Sequence, residues 1–178
     1  MKKTNIVLAG FMYSGKSTVG ELVARSTGMR LVDTDAMIEL ETGETVSEIF
    51  AGRGESAFRD LERAVVERVA AGGDLIIALG GGALMDETNV KKVTRTGVVY
   101  YLDLDADEVM RRATGSSGRP LLDGKSVGGV KRLLDGRRDA YLRAADVIIY
   151  TGGREPGEIA EEIARDFNQR KSRDQGDA

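Results

Sequence analysis

A short segment near the N-terminus carries the side chains best suited to chemistry. Residues 10–17 read GFMYSGKS and complete the pattern G-x-x-x-x-G-K-[ST]. Gly10 and Gly15 allow the backbone to curl so that its N–H groups point at phosphate oxygens. The Lys16 ammonium can reach the β- and γ-phosphates of a nucleotide, and the Ser17 hydroxyl can ligate Mg²⁺. The segment therefore predicts a nucleotide phosphate site.

The flanks of this loop have the structure that such a site needs. Residues 6–9 form an apolar run of strand type, and residues 16–25 carry apolar side chains at helical spacing. The unpaired N–H groups and the dipole at the start of that helix also favour an anion. A chance glycine-rich turn is the alternative, and the order strand, loop, helix argues against it.

Two acids follow the next apolar segment, at Asp33 and Asp35. Because side chains alternate along a strand, we expect both to share one face near its carboxyl end, which borders the ligand crevice of an open α/β sheet. One carboxylate could organise Mg²⁺, directly or through water. The other could accept a hydrogen bond from an alcohol and take its proton, and Asp35 is the better candidate because the chain has no histidine. A pair of turn-forming acids is the alternative.

Further motifs could hold an anionic substrate. Arg59 and Glu62 are three residues apart and can pair on one helix face, which would present a rigid bidentate guanidinium to a carboxylate. A plain surface pair is the alternative. Three glycines at residues 80–82 follow a buried apolar run and allow close backbone approach to a ligand. Arg137 could make a second anion contact or lie on a solvated helix face.

The composition narrows the chemistry further. The chain has 178 residues, 41% of them hydrophobic, which suits one domain with a substantial core. It contains neither Cys nor His, so thiolate nucleophiles, disulfides, Cys-based zinc sites and imidazole bases are excluded. A formal net charge of −3 argues against a general nucleic-acid binder. The apolar run before the phosphate loop is too short for a signal peptide or a membrane span, so we expect a cytoplasmic protein.

Apolar runs alternate with amphipathic segments along the chain. Strands are predicted over residues 6–9, 31–32, 75–79, 98–102 and 147–150. Helices are predicted over residues 16–25, 56–71, 106–113, 127–144 and 156–167. Continuous apolar strands separated by helices indicate a parallel sheet covered on both faces.

Several segments break this alternation. Residues 114–120 are small, polar and glycine-rich, which fits either a solvated loop or a lid that brings an arginine to the transferring phosphate. Residues 41–54 are interrupted by glycines and could form a substrate-side subdomain. Residues 169–178 are polar, and we expect this tail to be disordered. Residues 105–108 fit a capping box for the helix that follows them.

Taken in order, these motifs resemble those of the shikimate kinase family, and the resemblance extends over residues 6–167. The family carries a phosphate loop, D-x-D, I-F…G-E…F-R-x-x-E, a triple glycine, R-P-L-L and R-x-x-x-Y. The matching segments here are residues 10–18, 33–35, 49–50, 54–55, 58–62, 80–82, 119–122 and 137–141.

The resemblance implies an α/β fold, namely a three-layer α/β/α P-loop kinase domain with a five-stranded parallel sheet. It implies a shikimate-binding subdomain at about residues 34–62 and a mobile lid at about residues 112–126. The implied activity is transfer of the ATP γ-phosphoryl group to the 3-hydroxyl of shikimate, in the pathway to aromatic amino acids, with Mg²⁺ as cofactor. A cytoplasmic monomer that binds ATP and shikimate, and neither nucleic acid nor membrane, fits this activity.

The resemblance also implies a role for each site residue. Catalysis would fall to Lys16, Asp35 and Arg119, and Mg²⁺ to Ser17 and, through water, Asp33. The ATP-binding residues would be Gly10, Met12, Tyr13, Ser14, Gly15, Lys16, Ser17, Thr18, Arg112, Arg119, Arg154 and Pro156. The shikimate-binding residues would be Asp35, Phe50, Phe58, Arg59, Gly80, Gly81, Gly82 and Arg137.

The sequence departs from the family pattern at a few positions. Tyr13 stands where the family often has Gly, and Asp139 and Ala140 replace a frequent Pro-Leu. Arg138 neighbours Arg137, so either could contact substrate. The rival interpretations are a gluconate or nucleoside monophosphate kinase of the same fold, a GTP-binding switch, which usually needs an N-K-x-D segment not found here, and a silent nucleotide-binding homologue.

Overall fold

A five-stranded parallel sheet lies at the centre of the computed structural model, which describes residues 3–113 and 126–176. The strand order is β2-β3-β1-β4-β5, and every neighbouring pair is parallel. The strands are β1 (Asn5–Ala9), β2 (Arg30–Asp33), β3 (Leu75–Ala78), β4 (Gly97–Asp103) and β5 (Val147–Tyr150). The predicted fold class is confirmed, and each predicted strand is found within two residues of its expected bounds.

Helices cover both faces of the sheet. They are α1 (Lys16–Thr27), α2 (Thr34–Thr42), α3 (Val46–Ala70), α4 (Glu87–Thr96), α5 (Ala106–Ala113), α6 (Val127–Ala144) and α7 (Pro156–Gly176), with a 3₁₀ turn at Ala83–Met85. One apolar cluster joins the sheet to side chains of α3, α4 and α6, and a second joins it to α1 and α7. Strand β1 is buried along its whole length, as its continuous apolar sequence predicts.

The strand register brings the predicted motifs to one edge of the sheet. Ala78 of β3 pairs with both Leu8 of β1 and Asp33 of β2. Because parallel strands end on the same side, the phosphate loop after β1, the acids after β2 and the triple glycine after β3 emerge side by side.

The segment between β2 and the long helix differs from expectation. Residues 34–42 form helix α2, which the sequence analysis did not predict, and Gly43 ends it in the left-handed conformation, at φ 70°. Helix α3 then begins at Val46, behind a capping box of Thr45 and Glu48. Gly54 has a non-helical backbone, at φ 81° and ψ 170°, so α3 consists of two helical stretches joined at a kink. The helix predicted over residues 56–71 corresponds to the stretch after Gly54, and the stretch from Val46 to the kink is additional. Gly43 therefore marks a helix end and Gly54 a kink.

The C-terminal helix is also longer than predicted. Helix α7 continues to Gly176, through most of the segment expected to be a disordered tail. Asp166 accepts a hydrogen bond from Arg170 one turn later at 2.7 Å, and Lys171 pairs with Asp74 at 3.1 Å. These contacts lie beyond Phe167, the last apolar residue of the predicted helix, and stabilise its extension.

The start of α5 has half of the predicted capping box. Asp105 Oδ1 accepts a hydrogen bond from the Glu108 N–H at 2.8 Å. The Glu108 carboxylate does not accept a hydrogen bond from the cap backbone, because it binds Arg111 and Arg112. Hydrogen bonding from Arg111 lowers the pKa of Glu108 to about 2.

Within the described ranges, no helix is long and apolar enough to cross a membrane.

Candidate active site

The phosphate loop has the backbone conformation that its glycines allow. Gly10 lies at φ 151° and Gly15 at φ 92°, both unfavourable for a residue with a side chain. A Cβ on Gly10 would also lie 2.7 Å from the Leu102 carbonyl oxygen of β4. Gly15 caps the start of α1, so the unpaired N–H groups of that helix face the loop. This arrangement forms a cradle for an anion.

The Lys16 side chain folds back across the loop. Its Nζ donates to the carbonyl oxygens of Gly10 at 2.9 Å and Phe11 at 3.1 Å. The residue is half-buried. Lys16 therefore adds a positive charge to the anion cradle.

Asp33 links the phosphate loop to the second strand. Its Oδ2 accepts a hydrogen bond from Ser17 Oγ at 2.9 Å. Its Oδ1 accepts from the N–H groups of Asp35 at 3.0 Å and Ala36 at 3.2 Å, which makes Asp33 the N-cap of α2. The expectation that Asp33 and Asp35 alternate on one strand is therefore wrong, because the strand ends at Asp33 and Asp35 lies in the first turn of a helix.

The Asp35 carboxylate lies against the first of the three glycines. A Cβ on Gly80 would be 2.3 Å from Asp35 Oδ1 and 3.2 Å from Glu62 Oε1. The Gly80 N–H donates to the buried Thr34 hydroxyl at 2.9 Å, which fixes this backbone next to α2. Two carboxylates thus converge on a position that only glycine can occupy.

Glu62 is a buried carboxylate that pairs with Arg59. Its side chain is 1% exposed, and its Oε2 accepts a hydrogen bond from Arg59 Nη1 at 2.9 Å. Among the described residues, its Oε1 has no hydrogen-bond partner. Burial raises the pKa of Glu62, and the Arg59 charge opposes that shift. The predicted pair is therefore present, and it is far from a plain surface pair.

Arg59 is held from several sides. Its Nη2 also donates to Glu55 at 3.1 Å, and its Cζ lies 5.3 Å from the Phe58 ring centroid. Phe50 and Phe58 contact each other with centroids 4.6 Å apart. A Cβ on Gly82 would be 2.6 Å from Arg59 Nη1. The guanidinium is therefore fixed against the third glycine.

The two adjacent arginines of α6 point in different directions. Arg137 Nη1 donates to the Gly81 carbonyl oxygen at 3.2 Å, and its Cζ lies 5.5 Å from the Phe11 ring centroid. Arg138 Nη2 instead donates to Asp103 Oδ2 at 2.6 Å. Of the two, Arg137 therefore contacts the triple glycine.

Arg112 connects the phosphate loop to the end of β5. It donates to the Tyr13 carbonyl oxygen at 3.1 Å and to the Thr151 carbonyl oxygen at 2.7 Å. Tyr13 has φ 63°, a left-handed conformation in which glycine is common, and its ring packs on the apolar cluster of α3, α4 and α6. Arg154 pairs with Glu162 at 2.7 Å.

The remaining predicted site residues differ in their accessibility. Met12 and Ser14 are buried residues of the loop itself, Thr18 is exposed on the first turn of α1, and Pro156 begins α7. Arg119 and nearly all of the predicted lid lie outside the described residues.

Some structural contacts of the site were not predicted. Thr34, Asp103 and Thr151 hold the loops in position, and Glu62 was singled out only as a partner for Arg59. The one sequence signal for Asp103 is its position at the carboxyl end of a buried strand, where ligand crevices of parallel sheets lie.

A parallel sheet in this order, with a phosphate loop after its central strand, defines the class of P-loop phosphotransferases. The sequence model of shikimate kinase matches residues 12–168. The chain belongs to the shikimate kinase family.

The relatives match over nearly their full length. A shikimate kinase of Persephonella marina is 43% identical over 159 residues, which is 89% of this chain and 96% of the relative. That of Symbiobacterium thermophilum is 42% identical over 172 residues, 95% of this chain and 99% of the relative. A solved structure of the Acinetobacter baumannii shikimate kinase in complex with shikimate has a TM-score of 0.89 and 32% identity, and the match covers 95% of both chains.

Proposed function

We propose that this protein transfers the γ-phosphoryl group of ATP to the 3-hydroxyl of shikimate and releases shikimate 3-phosphate and ADP. The main support for this proposal is the group of side chains that lie against the triple glycine. Asp35 lies against Gly80, and Arg59 lies against Gly82. Arg137 donates to Gly81 from the other side. One hydrogen-bond acceptor and two guanidinium groups thus border a strip of backbone without side chains, next to the phosphate loop.

This arrangement suits a small polyhydroxylated acid. Guanidinium groups bind carboxylates strongly and with defined geometry, so Arg59 and Arg137 would hold the shikimate carboxylate. The absence of side chains at Gly80 and Gly82 lets Asp35 and Arg59 lie against the backbone, and the shikimate ring would bind beside them, with Gly80, Gly81 and Gly82 lining the pocket. Phe50 and Phe58 would form the apolar wall of the pocket, while Asp35 accepts a hydrogen bond from the attacking hydroxyl.

Phosphoryl transfer needs positioning and charge stabilisation more than covalent chemistry. The oxygen of the 3-hydroxyl would bond to the γ-phosphorus as the bond to the ADP oxygen breaks, and Asp35 would receive the hydroxyl proton. The cradle N–H groups and Lys16 would neutralise charge that develops on the phosphate oxygens. Arg119, carried by the lid, would add a second cation there.

The side-chain oxygens of Ser17 and Asp33 are suitable ligands for Mg²⁺. A hydroxyl and a carboxylate oxygen 2.9 Å apart at the edge of the cradle are the donor types that this hard cation prefers. Ser17 would ligate the ion directly and Asp33 through water. When bound, Mg²⁺ neutralises the β- and γ-phosphates.

The nucleotide base would lie near Arg112 and residues 154–156, with the lid of about residues 112–126 above it. Residues 34–62 would form the shikimate-binding subdomain. We propose that the protein acts in the cytoplasm as a monomer in the pathway to aromatic amino acids. The absence of His and Cys is no obstacle, since no step requires an imidazole or a thiolate.

The proposed substrate is tested by coupling ADP release to NADH oxidation with shikimate, gluconate and AMP as separate acceptors. We expect Mg²⁺-dependent turnover with shikimate alone. Turnover with gluconate or AMP and none with shikimate would contradict the proposal. A preference for GTP over ATP in a binding titration would instead favour a nucleotide switch.

A further inference from the structure

A buried carboxylate at the end of β4 binds one of the two neighbouring arginines of α6. Asp103 is 7% exposed and uses both of its carboxylate oxygens. Oδ2 accepts a hydrogen bond from Arg138 at 2.6 Å, and Oδ1 accepts one from the Tyr101 hydroxyl at 2.7 Å. The Thr151 N–H donates to the Asp103 carbonyl oxygen at 2.8 Å, so the backbone is fixed as well.

This carboxylate is connected to the triple glycine through two tyrosines. The rings of Tyr101 and Tyr141 stack with centroids 4.9 Å apart, and both are buried. The Tyr141 hydroxyl donates to the Gly81 carbonyl oxygen, the same atom that accepts from Arg137. Burial raises the pKa of Tyr141 to about 12, so its hydroxyl remains a donor at neutral pH.

Arg137 and Arg138 are adjacent on α6 and have the same long, positively charged side chain. Arg138 keeps 43% of its side chain exposed, and Asp103 is the acid that binds it. Without that acid, a long guanidinium side chain beside the site would be free to seek another carboxylate. Asp35 and Glu62, both close to Gly80, are acids of the same site, and the substrate carboxylate is a third.

We propose that Asp103 is a specificity-determining positioning residue, which holds Arg138 away from the acid-binding pocket so that Arg137 is the single α6 guanidinium there. This inference rests on the proposed function, since the substrate must carry a carboxylate. Asp103 does not touch the substrate in this account. It acts through Arg138. If Arg138 were released, its guanidinium would compete with Arg137 for the substrate carboxylate and could displace Asp35 or Glu62.

The test uses Asp103→Asn, which keeps an oxygen to accept the Tyr101 hydroxyl and removes the charge that binds Arg138. We expect KM for shikimate to rise about fivefold or more, a size usual for coupled neighbouring side chains, while kcat and KM for ATP change less than about twofold. Adding Arg138→Ala to this variant should restore KM for shikimate to within about twofold of the unmodified enzyme, because the competing cation is gone.

Control variants separate this role from a structural one. Tyr101→Phe leaves the charge of Asp103 in place, so shikimate KM should not change even if the melting temperature falls. Asp135→Asn breaks the exposed Lys131–Asp135 pair of the same helix and should also leave KM unchanged. Direct calorimetric titration with shikimate gives the same comparison if a variant has low turnover.

The outcomes for the inference and for the proposed function differ. No shikimate turnover by the unmodified enzyme would overturn the function. Normal turnover by that enzyme would leave the function intact. The inference would then be overturned if Asp103→Asn had an unchanged KM for shikimate, or if adding Arg138→Ala did not restore that KM. A KM increase in Tyr101→Phe equal to that in Asp103→Asn would overturn it as well, since the charge would then be irrelevant.

Discussion

Gly82 lies directly against the guanidinium of Arg59: a Cβ on Gly82 would come within 2.6 Å of Nη1 and 3.0 Å of Cζ. Real side chains do not approach so closely, so the absence of a side chain at Gly82 is what allows Arg59 its position. The other side of Arg59 is fixed by Glu62, at 2.9 Å. Arg59 is thus held between a buried acid and a bare backbone.

Gly82→Ala should therefore displace Arg59 and weaken substrate binding. Loss of a well-aligned charged hydrogen bond costs about 1.5–3 kcal/mol, so KM for shikimate should rise about tenfold or more. KM for ATP should change little, because the phosphate loop is not touched. Gly136→Ala on α6 is the matched control, since a Cβ there meets no atom within 4 Å. Equal KM values for the two variants would refute this role of Gly82.

Lys16→Met tests the positive charge of the phosphate loop. The methionine keeps much of the side-chain length but cannot stabilise charge on the transferring phosphate, so kcat should fall by about 10²-fold or more. The melting temperature should stay close to that of the unmodified protein, because Lys16 is half-buried and outside the core. Near-normal kcat would remove Lys16 from the mechanism.

Asp33 has two functions that substitutions can separate. Asp33→Ala removes the N-cap of α2 and should lower the free energy of unfolding by about 1 kcal/mol. Asparagine also caps helices well, so Asp33→Asn should remain stable while requiring more Mg²⁺ for half-maximal rate. Chemical denaturation and a Mg²⁺ titration measure the two effects. An unchanged Mg²⁺ requirement in Asp33→Asn would exclude Asp33 from the metal site.

Glu62 should make stability depend on pH in a particular direction. Burial raises its pKa above the usual 4.5, so the native state binds the proton more tightly than the unfolded chain. The stability that Glu62 contributes is then greatest below its unfolded pKa and decreases as pH rises through the native value. Urea denaturation of the protein and of Glu62→Gln at several pH values should show a stability difference that shifts in favour of Glu62→Gln as pH rises. The opposite trend would mean that Arg59 outweighs burial.

The sequence predicted the parts of the site that are set by local motifs. The phosphate loop, the five strands and the Arg59–Glu62 pair depend on short-range spacing, and all are present. Helix α2 has only nine residues and its start depends on the Asp33 cap, so the apolar pattern alone does not predict it. The alternation of apolar and polar residues does not indicate this cap. The sequence pattern therefore places Asp35 on a strand, whereas it lies in the first turn of α2.

Other contacts depend on how distant elements pack. The choice between Arg137 and Arg138 is set by the rotation of α6 relative to β4, which sequence spacing does not reveal. The φ of 63° at Tyr13 gives a physical reason why glycine suits this loop position. The sequence alone shows only that Tyr13 differs from the glycine frequent in the family. The contacts of Gly80, Gly81 and Gly82 with side chains from α2, α3 and α6 likewise arise only in the folded protein.

We propose that Asp35, beside the triple glycine, receives the acceptor hydroxyl next to the phosphate loop. The most direct test is the rate of shikimate 3-phosphate formation by Asp35→Asn, followed by ³¹P NMR, together with its affinity for ATP. We predict that product formation falls by about 10²-fold or more while ATP binds as before. Product formation at the rate of the unmodified enzyme would contradict the account.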